Sequence, residues 1–130
     1  MVLKTPCVVD ASAIAAVLFD EPEAAPVMAG VTGSLLAPGL LRYELASVCA
    51  SKLRNEPQQA KLTLQRYRLL AGLDIEFADP DWDALPLLAR QWELSAYDAA
   101  YLQLALERKA RLVTLDARLA GAYDKAVMRA

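Results

Sequence analysis

Asp10, Glu44, Asp98 and Asp116 are the side chains through which this chain would do chemistry, because it contains no histidine. That absence excludes Ser-His-Asp and Cys-His nucleophiles, histidine general bases and zinc sites built on imidazole. Acid-base or metal chemistry must run on carboxylates. Cys7 and Cys49 fit no metal-ligand spacing and lie inside apolar runs, as small buried hydrophobes do in a reducing compartment.

Three of the acids have a local explanation. Asp10 closes the apolar run Cys7-Val8-Val9 and precedes an alanine-rich helix, where it or Ser12 would accept from the first free backbone N–H groups. Ser95-Ala96-Tyr97-Asp98 is a capping-box pattern, with Ser95 as cap and Asp98 reaching back from the third helical position. Asp116 follows Thr114 by two residues at the end of another apolar run and would cap a helix starting at Ala117. Glu44 differs. It lies about 60° around its helix from Leu41, on the apolar side that Leu41, Leu45 and Val48 define. Lys52 shares that stripe, but eight residues span about 12 Å of helix axis, so a Glu44–Lys52 pair is strained and a polar cleft suits Glu44 better.

Jointly the four acids say more. Asp10 and Asp116 end strands that would be parallel, and Glu44 and Asp98 face inward near helix amino ends, so all four point toward one edge of a sheet. Carboxylates converging there repel one another and cannot all stay ionised in a half-buried cleft without counter-charge. Oxygen-only ligands suit Mg²⁺ or Mn²⁺. The chemistry such a site serves is phosphodiester hydrolysis, in which the metal acidifies a bound water and stabilises charge on the phosphate.

The elements that must position these acids alternate between strand and helix. Buried strands are expected at Cys7–Asp10 and Ser34–Ala37, a further strand at Arg111–Leu115, and a period-two strand at Asp74–Phe77. Helices are expected over Ala11–Phe19, about Glu23–Ala29, Leu40–Asn55, Pro57 to about Ala71, Asp81 to about Glu93, Ser95 to about Lys109, and Ala117–Tyr123. A last strand is expected around Lys125–Met128. Such alternation implies an α/β fold, a mostly parallel sheet with helices on both faces, whose ligands sit at the carboxyl ends of the strands.

The chain has 130 residues, within the range of roughly 100 to 150 typical of one domain. Hydrophobic residues make up 56% and charged ones 23%, with 14 basic against 16 acidic, which excludes a disordered chain and a polycationic coat. The start lacks a basic segment followed by an apolar one, so no signal peptide is expected. The uncharged run Ala24–Leu41 is broken by Pro26, Gly30, Gly33, Pro38 and Gly39, which a bilayer helix would not carry. A soluble cytoplasmic protein with no membrane association is the expectation.

Four stretches resemble the PIN-domain nucleases, and within them the VapC-type toxin ribonucleases: Val8-Val9-Asp10-Ala11-Ser12-Ala13, the segment from Leu36 through Glu44, the segment from Ser95 through Ala105, and Thr114-Leu115-Asp116-Ala117-Arg118-Leu119. They occur in family order and cover essentially the whole chain. The resemblance implies one nuclease domain over residues 1–130, a three-layer α/β/α fold, and an endoribonuclease that holds one or two Mg²⁺ or Mn²⁺ ions and cuts single-stranded or structured RNA. It makes Asp10 and Asp98 direct metal ligands, Glu44 an acid acting through water, and Asp116 the residue that completes a second metal position or orients the nucleophile. Ser12 and Thr114 match the supporting hydroxyls. It further implies a homodimer, held inactive by a small antitoxin.

Two features bear on partners independently. A mean hydropathy of +0.23 suggests apolar surface left for other subunits. Arg42, Lys52, Arg108, Lys109, Arg111 and Arg118 lie near the acid-bearing segments and could meet RNA phosphates, about half of them being expected on merely solvated faces. Rival classes fit less well. A receiver domain wants adjacent acids after the first strand and an Asp ending a middle one, whereas no Asp stands between Ser34 and Glu44. A haloacid-dehalogenase-like phosphatase wants an Asp at the position of Ser12. A non-catalytic interaction module on the same fold is the remaining alternative, recognisable by indifference to Mn²⁺ and to Asp98→Asn.

Overall fold

Four three-residue strands, β1 (Cys7–Val9), β2 (Leu35–Ala37), β3 (Ile75–Phe77) and β4 (Arg111–Val113), pair in parallel in the order β3-β2-β1-β4. This is seen in a computed structural model, which describes residues 5–129. Every residue of β1 is buried, as the uninterrupted apolar run Cys7-Val8-Val9 requires of a strand covered on both faces. β3 lies at one edge and alternates, with Glu76 outward between the half-buried Ile75 and Phe77.

Seven helices surround the sheet among the described residues: α1 (Ala11–Leu18), α2 (Ala24–Gly30), α3 (Leu40–Asn55), α4 (Ala60–Arg68), α5 (Leu85–Trp92), α6 (Ala96–Glu107) and α7 (Ala117–Arg129). Helix α1 packs on α2 and α3, and α3 on α4; α6 packs on α5, α7, β1 and β4. The two groups form the outer layers of an α/β/α fold, as right-handed crossovers dictate when the chain steps from β1 to β2 to β3 and then back across β1 to β4. That reversal makes the gap between β1 and β4 the topological switch point.

The core runs between β1, the inner side of α3 (Leu41, Leu45, Cys49) and α6, where Ala99 through Ala105 are all buried. No helix among the described residues is long and apolar enough to cross a membrane.

Several boundaries depart from the sequence expectation. The strand expected around Lys125–Met128 is instead the last part of α7, because Leu119, Ala122 and Ala126 recur at helical spacing on one buried side and outweigh the β preference of Val127. The helix expected from Pro57 to Ala71 keeps α geometry only over α4, with tight single turns at Pro57–Gln59 and Leu69–Gly72. Asp81 opens a turn rather than a helix. Its Oδ1 accepts from the N–H groups of Asp83 and Ala84, and α5 begins at Leu85. Thr114 and Leu115 leave the sheet after Val113.

Leu102, fully buried in α6, reports on this core. Leu102→Ala is expected to cost about 2–5 kcal/mol in chemical denaturation, and an unchanged midpoint contradicts this packing.

A candidate acidic site at the switch point

β1 and β4 pair in the register Cys7↔Arg111, Val8↔Leu112, Val9↔Val113, so the next pair is Asp10 with Thr114. The Asp10 N–H still donates to Val113 O at 3.3 Å, which keeps the two chains together past the last strand residue. The side chains complete the junction. Asp10 Oδ1 accepts from Ser12 Oγ at 2.7 Å and from the Ala13 N–H at 3.0 Å, while Oδ2 accepts from Thr114 Oγ1. Ser12 Oγ in turn accepts from the Leu115 N–H at 2.9 Å, and Thr114 Oγ1 from the Asp116 N–H at 3.0 Å. Asp10 is only 5% exposed, and this hydroxyl and amide shell satisfies a carboxylate at a depth where an unpartnered one would be costly.

The capping explanations hold as well. Asp10 caps α1 through the Ala13 N–H, Asp116 Oδ1 accepts from the N–H groups of Arg118 and Leu119 at the start of α7, and Ser95 Oγ accepts from the Asp98 N–H at 3.1 Å. The capping box is half made. Among the described residues the Asp98 carboxylate accepts no hydrogen bond, so it is left to the basin between the helix ends.

Glu44, one turn into α3, and Asp98, on the first turn of α6, are half-buried. Burial pushes the Glu44 carboxyl above the usual range, helped by the negative charges of Asp98 and Asp10 and opposed by a hydrogen bond from Tyr101. Burial likewise raises Asp98, reinforced by Asp116 and Asp10 and opposed by Arg118. These mutual influences show that all four acids share one electrostatic basin. The donors are all oxygens, the set a hard divalent cation prefers, and Arg118 offsets the charge of Asp98. Among the described residues no three acids stand close enough to hold one ion unaided. A cation here would lean on water for part of its coordination, as Mg²⁺ commonly does.

The partner of Glu44 is Tyr101, whose hydroxyl donates to Oε1 at 2.6 Å; Lys52 instead pairs with Glu21 at 3.4 Å and lies over the Phe19 ring. Tyr101 is the residue that sequence reasoning missed. Its one available signal was its place three residues after Asp98, on the same side of α6. Burial and the adjacent carboxylate raise its phenol, so it remains a proton donor to Glu44.

Most of the expected phosphate-binding cations are engaged elsewhere. Arg42 lies over the Phe77 ring, Arg108 pairs with Glu76 at 3.0 Å, and Arg111 donates to Thr32 Oγ1 at 3.2 Å. Lys109 is exposed, and Arg118 reaches the basin electrostatically.

Fold and site together define a class: a parallel α/β/α protein with carboxylates gathered around the carboxyl ends of its strands. The chain belongs to the PIN domain family, whose model matches residues 7–125. Members of this family are generally nucleases that use divalent metal ions. The chain is also similar to a solved structure, "Crystal structure of PAE2754 from Pyrobaculum aerophilum", with a TM-score of 0.71 and 21% identity over 96% of each chain; that likeness is one of fold. No curated protein matches the chain.

Two outcomes check this site. Thr114→Val removes both the donor to Asp10 Oδ2 and the acceptor of the Asp116 N–H, and is expected to destabilise by about 1–3 kcal/mol in denaturant unfolding; an isoenergetic variant contradicts the shell. Asp98 holds its proton more tightly folded than unfolded, so metal-free stability falls as pH rises from the ordinary Asp range through the raised value. Asp98→Asn is therefore expected to melt above the wild type at neutral pH without metal, the gain vanishing on acidification below the ordinary Asp range. A lower neutral melting temperature overturns the repulsion account.

Proposed function

We propose that the chain is a Mg²⁺- or Mn²⁺-dependent endoribonuclease and the toxin of a toxin–antitoxin pair, with residues 1–130 acting as one nuclease domain. The observation that carries the nuclease reading is the electrostatic coupling of Asp10, Glu44, Asp98 and Asp116 at the switch point. Asp10, Asp98 and Asp116 hold the metal, which when bound supplies an acidified water and offsets charge on the phosphate. Ser12 and Thr114 fix the Asp10 carboxylate and leave it a single orientation toward the basin. Glu44 orients the attacking water and accepts its proton. Its Oε1 is occupied by the Tyr101 hydroxyl, which leaves Oε2 for that task, and the raised carboxyl makes it the better base.

The toxin role and its small antitoxin follow from the resemblance of the four acid-bearing stretches. The proposed homodimer has support in apolar side chains at the surface, including Met28, Leu69 and Leu87.

Incubation of the purified protein with RNA is expected to give cleavage that a chelator stops and Mg²⁺ or Mn²⁺ restores. Asp10→Asn and Asp98→Asn are expected to lower the rate by about two orders of magnitude or more with the fold retained, since Asn still caps a helix. Wild-type rates in either variant would falsify the assignment.

A further inference from the structure

Glu44 and Asp98 reach one basin from two helices that are not each other's main neighbours. Helix α3 packs on α1 and α4, and α6 on α5, α7, β1 and β4. Their amino-terminal parts meet instead across an open depression lined by Leu40, Tyr43, Glu44, Ser47 and Tyr97. Broad helix-on-helix packing therefore does not fix where the Glu44 carboxylate sits relative to Asp98. Among the described residues one hydrogen bond joins the two helices, from the Tyr101 hydroxyl to Glu44 Oε1 at 2.6 Å.

That bond holds a side chain with reasons to leave. Glu44 is long, half-buried and, among the described residues, without another hydrogen-bond partner, so ordering it costs rotamer freedom. The charges of Asp98 and Asp10 repel it, and Lys52, the cation on its own helix face, is held by Glu21. The donor is the fixed partner. Tyr101 is 1% exposed, inside the wholly buried run Ala99 to Ala105. Burial and the Glu44 carboxylate raise its phenol, opposed by the Ala11 backbone amide, so the hydroxyl keeps its proton and remains a donor. Asp98 and Tyr101 stand three residues apart on one side of the same helix, which ties the position of Glu44 to that of Asp98.

We propose that Tyr101 is a positioning residue for the reaction, its hydroxyl pinning Glu44 Oε1 so that Oε2 faces the water to be activated, at a separation from Asp98 that α6 itself sets. The inference rests on the ribonuclease reading and adds the residue that makes Glu44 competent as its base. The opposite account, in which Glu44 merely satisfies a buried phenol, predicts that losing the hydroxyl changes stability and leaves kcat alone.

Steady-state cleavage of a purified RNA with Mn²⁺ is measured through a double-mutant cycle. Tyr101→Phe, whose ring refills the same core space, is expected to lower kcat about 10- to 100-fold with KM within about twofold of wild type, because the base is misplaced while substrate contacts stay. Glu44→Gln is expected to lower kcat by about 100-fold or more, and Glu44→Gln/Tyr101→Phe no further, since the hydroxyl then has no base to hold. Wild-type kcat in Tyr101→Phe, or an equal loss from Tyr101→Phe in both backgrounds, overturns the proposal. A second measurement needs neither turnover nor a folded Tyr101→Phe. In metal-free protein carrying ¹³C-labelled tyrosine, Glu44→Gln is expected to move a ζ-carbon resonance, and all five tyrosine resonances unmoved overturns the bond itself. Failure of the ribonuclease reading registers separately, as wild-type protein that leaves the RNA intact while the tyrosine resonance still moves.

Discussion

A buried carboxylate joined to two strands is the constraint on which the site depends. Asp10 sits where β1 ends, and its oxygens are held by Ser12 and Ala13 from its own side and by Thr114 from β4. The parallel register makes that contact automatic, since the pair after Val9↔Val113 is Asp10 with Thr114. Removing the hydroxyls would strand a charge at low dielectric and loosen the junction from which α1 and α7 both depart. Shape and the proposed chemistry therefore share the same few atoms.

The cost lies one shell outward. Glu44 and Asp98 are half-buried near two other acids, and burial and repulsion raise both above their ordinary range. A protein selected for stability alone would place neutral groups there. The tension is of the kind that a divalent cation held at the proposed metal site would relieve. The Tyr101 hydroxyl moderates it for Glu44, and Arg118 for Asp98.

How much of this was legible depends on whether the deciding interaction is local. Asp10, Ser95 and Asp116 were readable as caps because a cap is set by its next three residues, and β1 because an unbroken apolar run before an acid has few other uses. The convergence of the acids followed from strand ends and helix faces. The Tyr101–Glu44 bond joins residues 57 apart and needed the packing of α6 against the site, which no periodicity encodes. Lys52 shows the same limit: its helix suggested Glu44, while its true neighbours, Glu21 and Phe19, arrive from another element. Val127 and Met128 looked strand-like in isolation, and only the alanines before them reveal the helical stripe.

The double employment of Asp10 and Asp116 as caps bears on how such a protein can change over time. Asn and Ser cap helices about as well as Asp, so exchanges that would silence the proposed chemistry leave the architecture standing. A lineage can thus drift from cutting to merely gripping its ligand without passing through an unfolded ancestor, and inert descendants of this scaffold should be as well formed as active ones.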